Sequence, residues 1–312
     1  ALAAAPLFVF MGAMLERSGT AERLFEVIHM WTRRLPGGLA VGTIIMCVLF
    51  AASSGVVGAT ETVVGMLAIP VMLRHGYDKG LISGTICAGG SLGSIIPPSV
   101  LVVILSLIAE IGIGDMFAGM LFPGLMLAGL YVLYILIRCG VDPKIAPRVS
   151  EADDTMPLGA KLRLTLVALL PPIALIFLVL GTILGGMAVP TEAASMGAVG
   201  AVVLTLLYRN FTWAVLKQSI LKTISITAMI LTILLGGTMF SSVFIGTGGL
   251  VAAERAIEVL QLGGWGTLIL ILLMAFLAGF VMDVLSIILI VVPIAVPLMT
   301  DFGFDIIWFF IL

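Results

Sequence analysis

The chain has 312 residues, of which 61% are hydrophobic and only 10% charged, with a mean hydropathy of +1.29. An ordinary soluble domain carries about 25% charged residues, so this composition excludes one and defines a polytopic membrane protein. The net charge of −2 offers no basic patch with interleaved aromatics, so no nucleic-acid partner is expected. Cys47, Cys87 and Cys139 lack CxxC spacing and read as small core hydrophobes, with neither a disulfide framework nor a metal site.

Apolar runs lie near 1–15, 39–73, 80–109, 116–137, 162–186, 188–208, 223–244, 266–300 and 304 to the end. The first and last run into the chain ends, so the protein is expected to continue at both. A bilayer core about 30 Å thick needs roughly 20 helical residues. The runs 39–73 and 266–300 are too long for one upright span and too short for two, and each is interrupted, by Ser53-Ser54-Gly55 and by residues 279–283.

Charge placement sets the expected topology. Every Lys and Arg except Arg255 can be put on one side, which the positive-inside rule makes cytoplasmic. Both ends of 39–73 then face the cytoplasm, so that run is expected to be a re-entrant hairpin with its tip at 53–62. The run 266–300 becomes a second hairpin from the opposite face, with its tip near Asp283.

Between them, 80–109 crosses to the periplasm through AGGSLGSIIPPS (88–99). Clustered glycines and the Pro97-Pro98 pair predict a helix broken near mid-membrane. Exposed backbone at that depth belongs where it lines a cavity or is buried in protein. Amphipathic segments precede each hairpin. In 20–34, Leu24, Ile28 and Trp31 form the apolar face and Glu22, Arg23, Glu26, His29 and Arg33 the polar one; 250–261 is the second. Both read as interfacial helices. His29 and His75 are expected to be solvated, and Trp31, Trp213, Trp265 and Trp308 to lie at the membrane interfaces.

The strongest internal signal is a repeat. PVMLRHGYD (70–78) returns as PLMTDFGFD (297–305), an offset of 297 − 70 = 227 residues, with basic neighbours in the first copy and acidic ones in the second. Inverted repeats with discontinuous helices are a signature of secondary transporters. The chain therefore divides into a first repeat (1–138), a cytoplasmic linker (139–161) and a second repeat (162–312). The same offset places the second copy of the broken segment near 322–326, past Leu312.

Candidate site residues follow from these breaks. The first tip, SSGVVGATET, gathers Ser53, Ser54, Gly55 and Thr60 opposite Gly93, Ser94, Pro97, Pro98 and Ser99. Hydroxyls and unwound carbonyls suit Na⁺, and half-helix N-termini suit a carboxylate. Asp283, an ionisable group in an apolar run, is the candidate at the second tip, with a position near the membrane surface or a helix cap as the alternative. Glu61 is weighed the same way, against a water-facing position beside basic partners. Pro190-Thr191-Glu192 reads as a helix start, with Thr as cap, Pro in the first turn and Glu at the positive end. No GxGxxG, Walker A, HExxH or CxxC pattern supports an ATP-driven pump or a hydrolase.

The stretches PLFVFMGAMLERSG (from Pro6), ASSGVVGATETVVGMLAIPVMLRHGYD (from Ala52), AGGSLGSIIPPS (from Ala88), AVPTEAASMGAVGA (from Ala188) and VMDVLSIILIVVPIAVPL (from Val281) resemble the large membrane subunit of tripartite ATP-independent periplasmic (TRAP) transporters. The resemblance covers essentially the whole chain. It implies an elevator-type permease of the bacterial inner membrane, driven by a Na⁺ gradient and needing no cofactor. Its substrate would be an organic acid anion delivered by a periplasmic solute-binding protein, and a small membrane subunit would pack on its scaffold. Ser53, Ser54, Thr60 and the 93–99 break would form one cation site with the substrate cavity, the Na⁺ lying near Ser53, Ser54, Gly93 and Ser94. Asp283 and Ser286 would line the inverted counterpart. The rivals are a sodium/dicarboxylate-type symporter that uses no binding protein and a membrane-embedded enzyme acting through Asp283.

Overall fold

The computed structural model describes residues 2–55, 57–147, 157–259, 261 and 263–312; within these, nothing is said of the side chains of Ser54, Val57, Ala59, Glu254, Ala256 and Glu258. The described residues form helices and connecting turns without strands, consistent with an all-α polytopic membrane protein. The expected linker falls partly within 148–156, outside them.

α1 (Ala4–Arg17) is followed by the amphipathic α2 (Thr20–Thr32). α3 (Gly38–Ser54) and α4 (Val57–Arg74) form the first hairpin, and α5 (Lys79–Ile95) and α6 (Val100–Ile108) the broken helix. α7 (Ile113–Val141), α8 (Leu158–Leu184), α9 (Pro190–Leu207) and α10 (Trp213–Gly246) follow. The second amphipathic helix, α11 (Gly249–Val259), precedes α12 (Gly264–Ala278) and α13 (Val284–Asp301), the second hairpin; α14 (Ile306–Ile311) closes the described chain.

α7, α8, α9, α10 and α13 are long and apolar enough to cross a membrane, and α5 with α6 makes a sixth candidate, bent by 44°. α3 and α12, with 17 and 15 residues, reach only about 22–26 Å at 1.5 Å per residue, short of the bilayer core. α10 begins ten residues earlier than the apolar run suggests, because Thr212 caps it by accepting from Val215 N at 3.2 Å.

The sequence repeat is matched by geometry. α4 shifted by 227 spans 284–301, the limits of α13, and the first residue of α5 shifted likewise is 306, the first of α14. Gly76 (φ 73°) and Gly303 (φ 75°) end their helices in the left-handed conformation. Tyr77 N donates to Met72 O and Phe304 N to Met299 O, at 3.1 and 3.0 Å, the same helix-ending bond in both copies. Asp78 then caps α5 by accepting from Leu81 N (3.1 Å), and Asp305 caps α14 from Trp308 N (2.8 Å). The G-aromatic-D motif is thus a helix stop followed at once by a helix start.

Among the described residues, three apolar clusters hold the helices. One joins α1, α6, α7, α8, α9, α10 and α13 around Phe8, Met14 and Phe117. The second packs α2 to α5 and α7 around Ile44, Phe50 and Leu92; the third gathers α11 to α14. Several surface expectations change. His29 is only 9% exposed, because Leu24, Val27 and Ile28 turn α2 so that the ring lies edge-on to Phe25 and beside Gly42. Trp31 is instead exposed and donates to Thr165 Oγ1 at 3.0 Å, whereas His75 is exposed as expected. Cys47 and Cys139 are buried but Cys87 faces outward, since α5 packs through its glycine face and leaves that side open. Thr191 is not a cap: Val189 occupies that position, and Glu192 folds back to accept from Val189 N at 3.2 Å.

Candidate functional site

The first hairpin turns sharply. Gly55 ends α3 at φ 64°, and its amide donates to Ala51 O. The helix resumes at Val57, so Thr60, Glu61 and Thr62, expected in a loose tip, are helical. The turn seats on the broken helix: Val100 N, the first amide of α6, donates to Gly55 O at 3.2 Å, and a Cβ on Gly55 would lie 2.6 Å from Pro98 O. The break itself is residues 96–99, containing a cis Pro97-Pro98 peptide bond.

A cavity of about 650 Å³ opens beside this junction. Gly55, Gly58 and Glu61 of the first hairpin, Ser91 and Ser94 of α5, and Val100 at the start of α6 form one wall. Asp283, Val284 and Leu285 bring the second tip to the same space, and Glu16 of α1 with Lys222 of α10 closes another side. Two hairpin tips and a helix break, remote in sequence, thereby meet at one cavity.

Gly55, Ser94 and Asp283, all expected site residues, line this cavity. Pro98 and Ser99 lie directly behind its wall at the Gly55 junction. Ser53 and Thr60 are buried, as is Gly93 within α5, and Ser286 is half-buried in the first turn of α13; none of these four is among the lining residues. The Ser54 side chain lies outside the described residues.

Hydroxyl chemistry differs from residue to residue. Ser53 Oγ bonds Phe50 O (2.9 Å) and Leu49 O (3.0 Å), and Ser94 Oγ donates to Ser91 O (2.7 Å), so each spends its proton on its own helix and keeps lone pairs. Ser99 Oγ is fully buried and has no partner among the described residues, which leaves an oxygen ready for a ligand at the break. Such an oxygen donor beside unwound carbonyls fits a hard cation. The described residues hold no cluster of His, Cys, Asp or Glu of metal-binding composition.

Electrostatics of the cavity are acidic. Lys222 Nζ lies 2.5 Å from Glu16 Oε2, and Arg17 Nη1, outside the lining, lies 3.7 Å from Glu16 Oε1, so the Glu16 charge is compensated. Asp283 accepts from Leu285 N at 3.1 Å and is a helix cap as well as a lining group. Glu61 lies against α5 where Gly90 leaves room, since a Cβ there would meet Glu61 Cγ at 1.9 Å. Among the described residues, neither Glu61 nor Asp283 has a cationic partner.

Sequence reasoning missed Glu16 and Lys222. Lys222 was hidden because the apolar run begins just after it, although α10 starts at Trp213 and places Lys222 well inside the helix. The usable signal was the Thr212 cap before Trp213.

These features define the class: a polytopic membrane permease with paired helical hairpins and a broken helix around one largely apolar cavity that carries a few charged and hydroxyl groups. The sequence belongs to the family "Tripartite ATP-independent periplasmic transporter, DctM component", which matches residues 1–312. It is 33% identical over 309 residues to the C4-dicarboxylate TRAP transporter large permease protein DctM of Pseudomonas aeruginosa, covering 97% of this chain and 70% of that protein. It is 29% identical over 306 residues to the ectoine/5-hydroxyectoine TRAP transporter large permease protein UehC of Ruegeria pomeroyi, with the same coverage. The isethionate TRAP transporter permease protein DctMQ of Oleidesulfovibrio alaskensis is also 29% identical, over 97% of this chain and 47% of that protein.

Proposed function

We propose that this chain is the permease subunit of a Na⁺-coupled secondary transporter in the bacterial inner membrane. It would import organic acid anions received from a periplasmic solute-binding protein, beside a small membrane subunit. Carboxylates and a sulfonate appear in the names of its relatives' substrates, as does the zwitterion ectoine. The reading is of a transporter and not an enzyme.

The single observation that carries it is the convergence of both hairpin tips and the broken helix on the 650 Å³ cavity. α6 and α13 begin at its wall, where helix N-termini favour an anion. Glu61 and Asp283 would repel that anion unless cations enter with it, which supports cation coupling. Na⁺ would draw on the Ser94 and Ser99 hydroxyls, with Ser53, Ser54 and Gly93 behind them, and on carbonyls freed at the breaks.

In this reading the two hairpins and the broken helix form a transport domain that moves as an elevator, joined by the arms α2 and α11 to a scaffold that includes α1 and α8 to α10. The two repeats would be inverted, as their opposite flanking charges suggest. Uptake of succinate, isethionate and ectoine into proteoliposomes holding the full complex tests the proposal, with and without a Na⁺ gradient and the binding protein. Uptake should need both; uptake indifferent to both would refute it.

A further inference from the structure

A second cavity, of about 610 Å³, lies away from the transport cavity, between α5 and α7. Its walls are mostly apolar, including Ile44 and Leu130, and its floor is the small-residue face of α5, where a Cβ on Gly84 would meet nothing within 4 Å. α7 lines it with Tyr131, Tyr134 and Arg138, positions three and four apart and so on one helix face. Arg138 is in the last turn of α7, the end that the positive-inside rule makes cytoplasmic, and Tyr134 is 63% exposed.

One buried polar group is unprovided for, and one exposed cation lacks a carboxylate among the described residues. Thr85 is only 3% exposed, lines the cavity, and its Oγ1 has no hydrogen-bond partner among the described residues. Arg138 has no carboxylate partner among the described residues. Asp78, also in the wall, is already engaged: its carboxylate caps α5 through Leu81 N, and its amide donates to Ile145 O. A buried hydroxyl without a partner costs free energy that a ligand acceptor would recover.

We propose that this crevice is a binding site for an anionic phospholipid of the cytoplasmic leaflet. Arg138 holds the phosphate, Thr85 donates to an ester carbonyl deeper in, and the Gly84 face and apolar walls take an acyl chain. Cationic groups between membrane helices on the cytoplasmic side are suited to anionic headgroups. A soluble anion would leave the apolar walls exposed to water.

The test is lipid retention by the purified full complex in mild detergent, measured by native mass spectrometry after exchange into phosphatidylglycerol or phosphatidylethanolamine. Wild type should keep phosphatidylglycerol through washing. Arg138→Gln should lower its retention at least fivefold, Thr85→Val at least twofold, and Gly84→Leu, which fills the open floor, at least fivefold. Gly84→Leu adds its side chain to empty space, so it carries the test if Arg138→Gln does not fold. Unchanged retention in monodisperse Arg138→Gln and Gly84→Leu complexes would overturn the proposal. So would equal retention of the two lipids, or displacement of phosphatidylglycerol by millimolar inorganic phosphate.

Discussion

Val100 N donates to Gly55 O at 3.2 Å, so the turn of the first hairpin supplies the acceptor for the first amide of the helix that restarts after Pro97-Pro98. Two backbone interruptions, each costly alone at membrane depth, satisfy one another. The cavity beside them depends on that junction.

Gly55→Ala should therefore destabilise the protein more than its size suggests. Left-handed backbone alone costs a non-glycine residue about 1–2 kcal/mol, and the added Cβ would sit 2.6 Å from Pro98 O. Gly58→Ala, in a helix with open space around its Cβ, should instead stabilise by about 0.4–1 kcal/mol. Thermal unfolding of the two purified variants measures the contrast.

Asp78 and Asp305 perform one task in the two copies of the motif. Replacing either by Ala should cost about 0.5–2 kcal/mol, while Asn retains most of the cap. Because α5 and α14 are separate elements, the two losses should add in the double variant. Thermal unfolding of the single and double variants tests both statements.

Burial, and secondarily the charge of His75, lowers the His29 pKa to about 4, and neither ring nitrogen has a partner among the described residues. The native state thus binds this proton less readily than the unfolded chain, where the value is 6.5. Stability should be independent of His29 above pH 6.5, fall as the pH drops below it, and level off near pH 4. The limiting loss is about 3 kcal/mol at 1.36 kcal/mol per pH unit. His29→Leu should flatten that part of the curve; thermal unfolding between pH 4 and 8 checks it.

Lys222→Met leaves Glu16 in the cavity wall with only the longer contact to Arg17 Nη1 at 3.7 Å, and removing one partner of a half-buried pair of this kind should cost about 1–2 kcal/mol. The double variant Glu16→Gln/Lys222→Met should recover most of that stability. A double-mutant cycle in thermal unfolding isolates the coupling.

How much of this was legible in sequence depended on which physical signal each feature leaves. The hairpins and the broken helix announced themselves through length and through Gly and Pro, and the breaks at Gly55 and at 96–99 lie where those residues cluster. The extent of the first tip did not, because Thr60 and Thr62 suit a loop in sequence yet follow Val57 into α4, Thr62 returning its hydroxyl to Gly58 O. Asp283 was legible as an alternative between a site and a cap or near-surface position; it caps α13 and lines the cavity. His29 misled because its neighbours Glu26 and Arg33 mark a polar face, while its burial comes from α3 packing beside it through Gly42. Glu16 and Lys222 are brought together by tertiary packing of α1 on α10, for which a single sequence carries no pattern.

The central claim, that the cavity between the two tips is where substrate and Na⁺ bind, is tested most directly by labelling Ser94→Cys in a Cys87→Ser background. The measurement is the rate of reaction with a soluble maleimide in the full complex, with and without Na⁺ and the anion identified by the uptake panel. The account predicts at least a fivefold slower reaction when both are present. An unchanged rate in a complex that still transports that anion would contradict it.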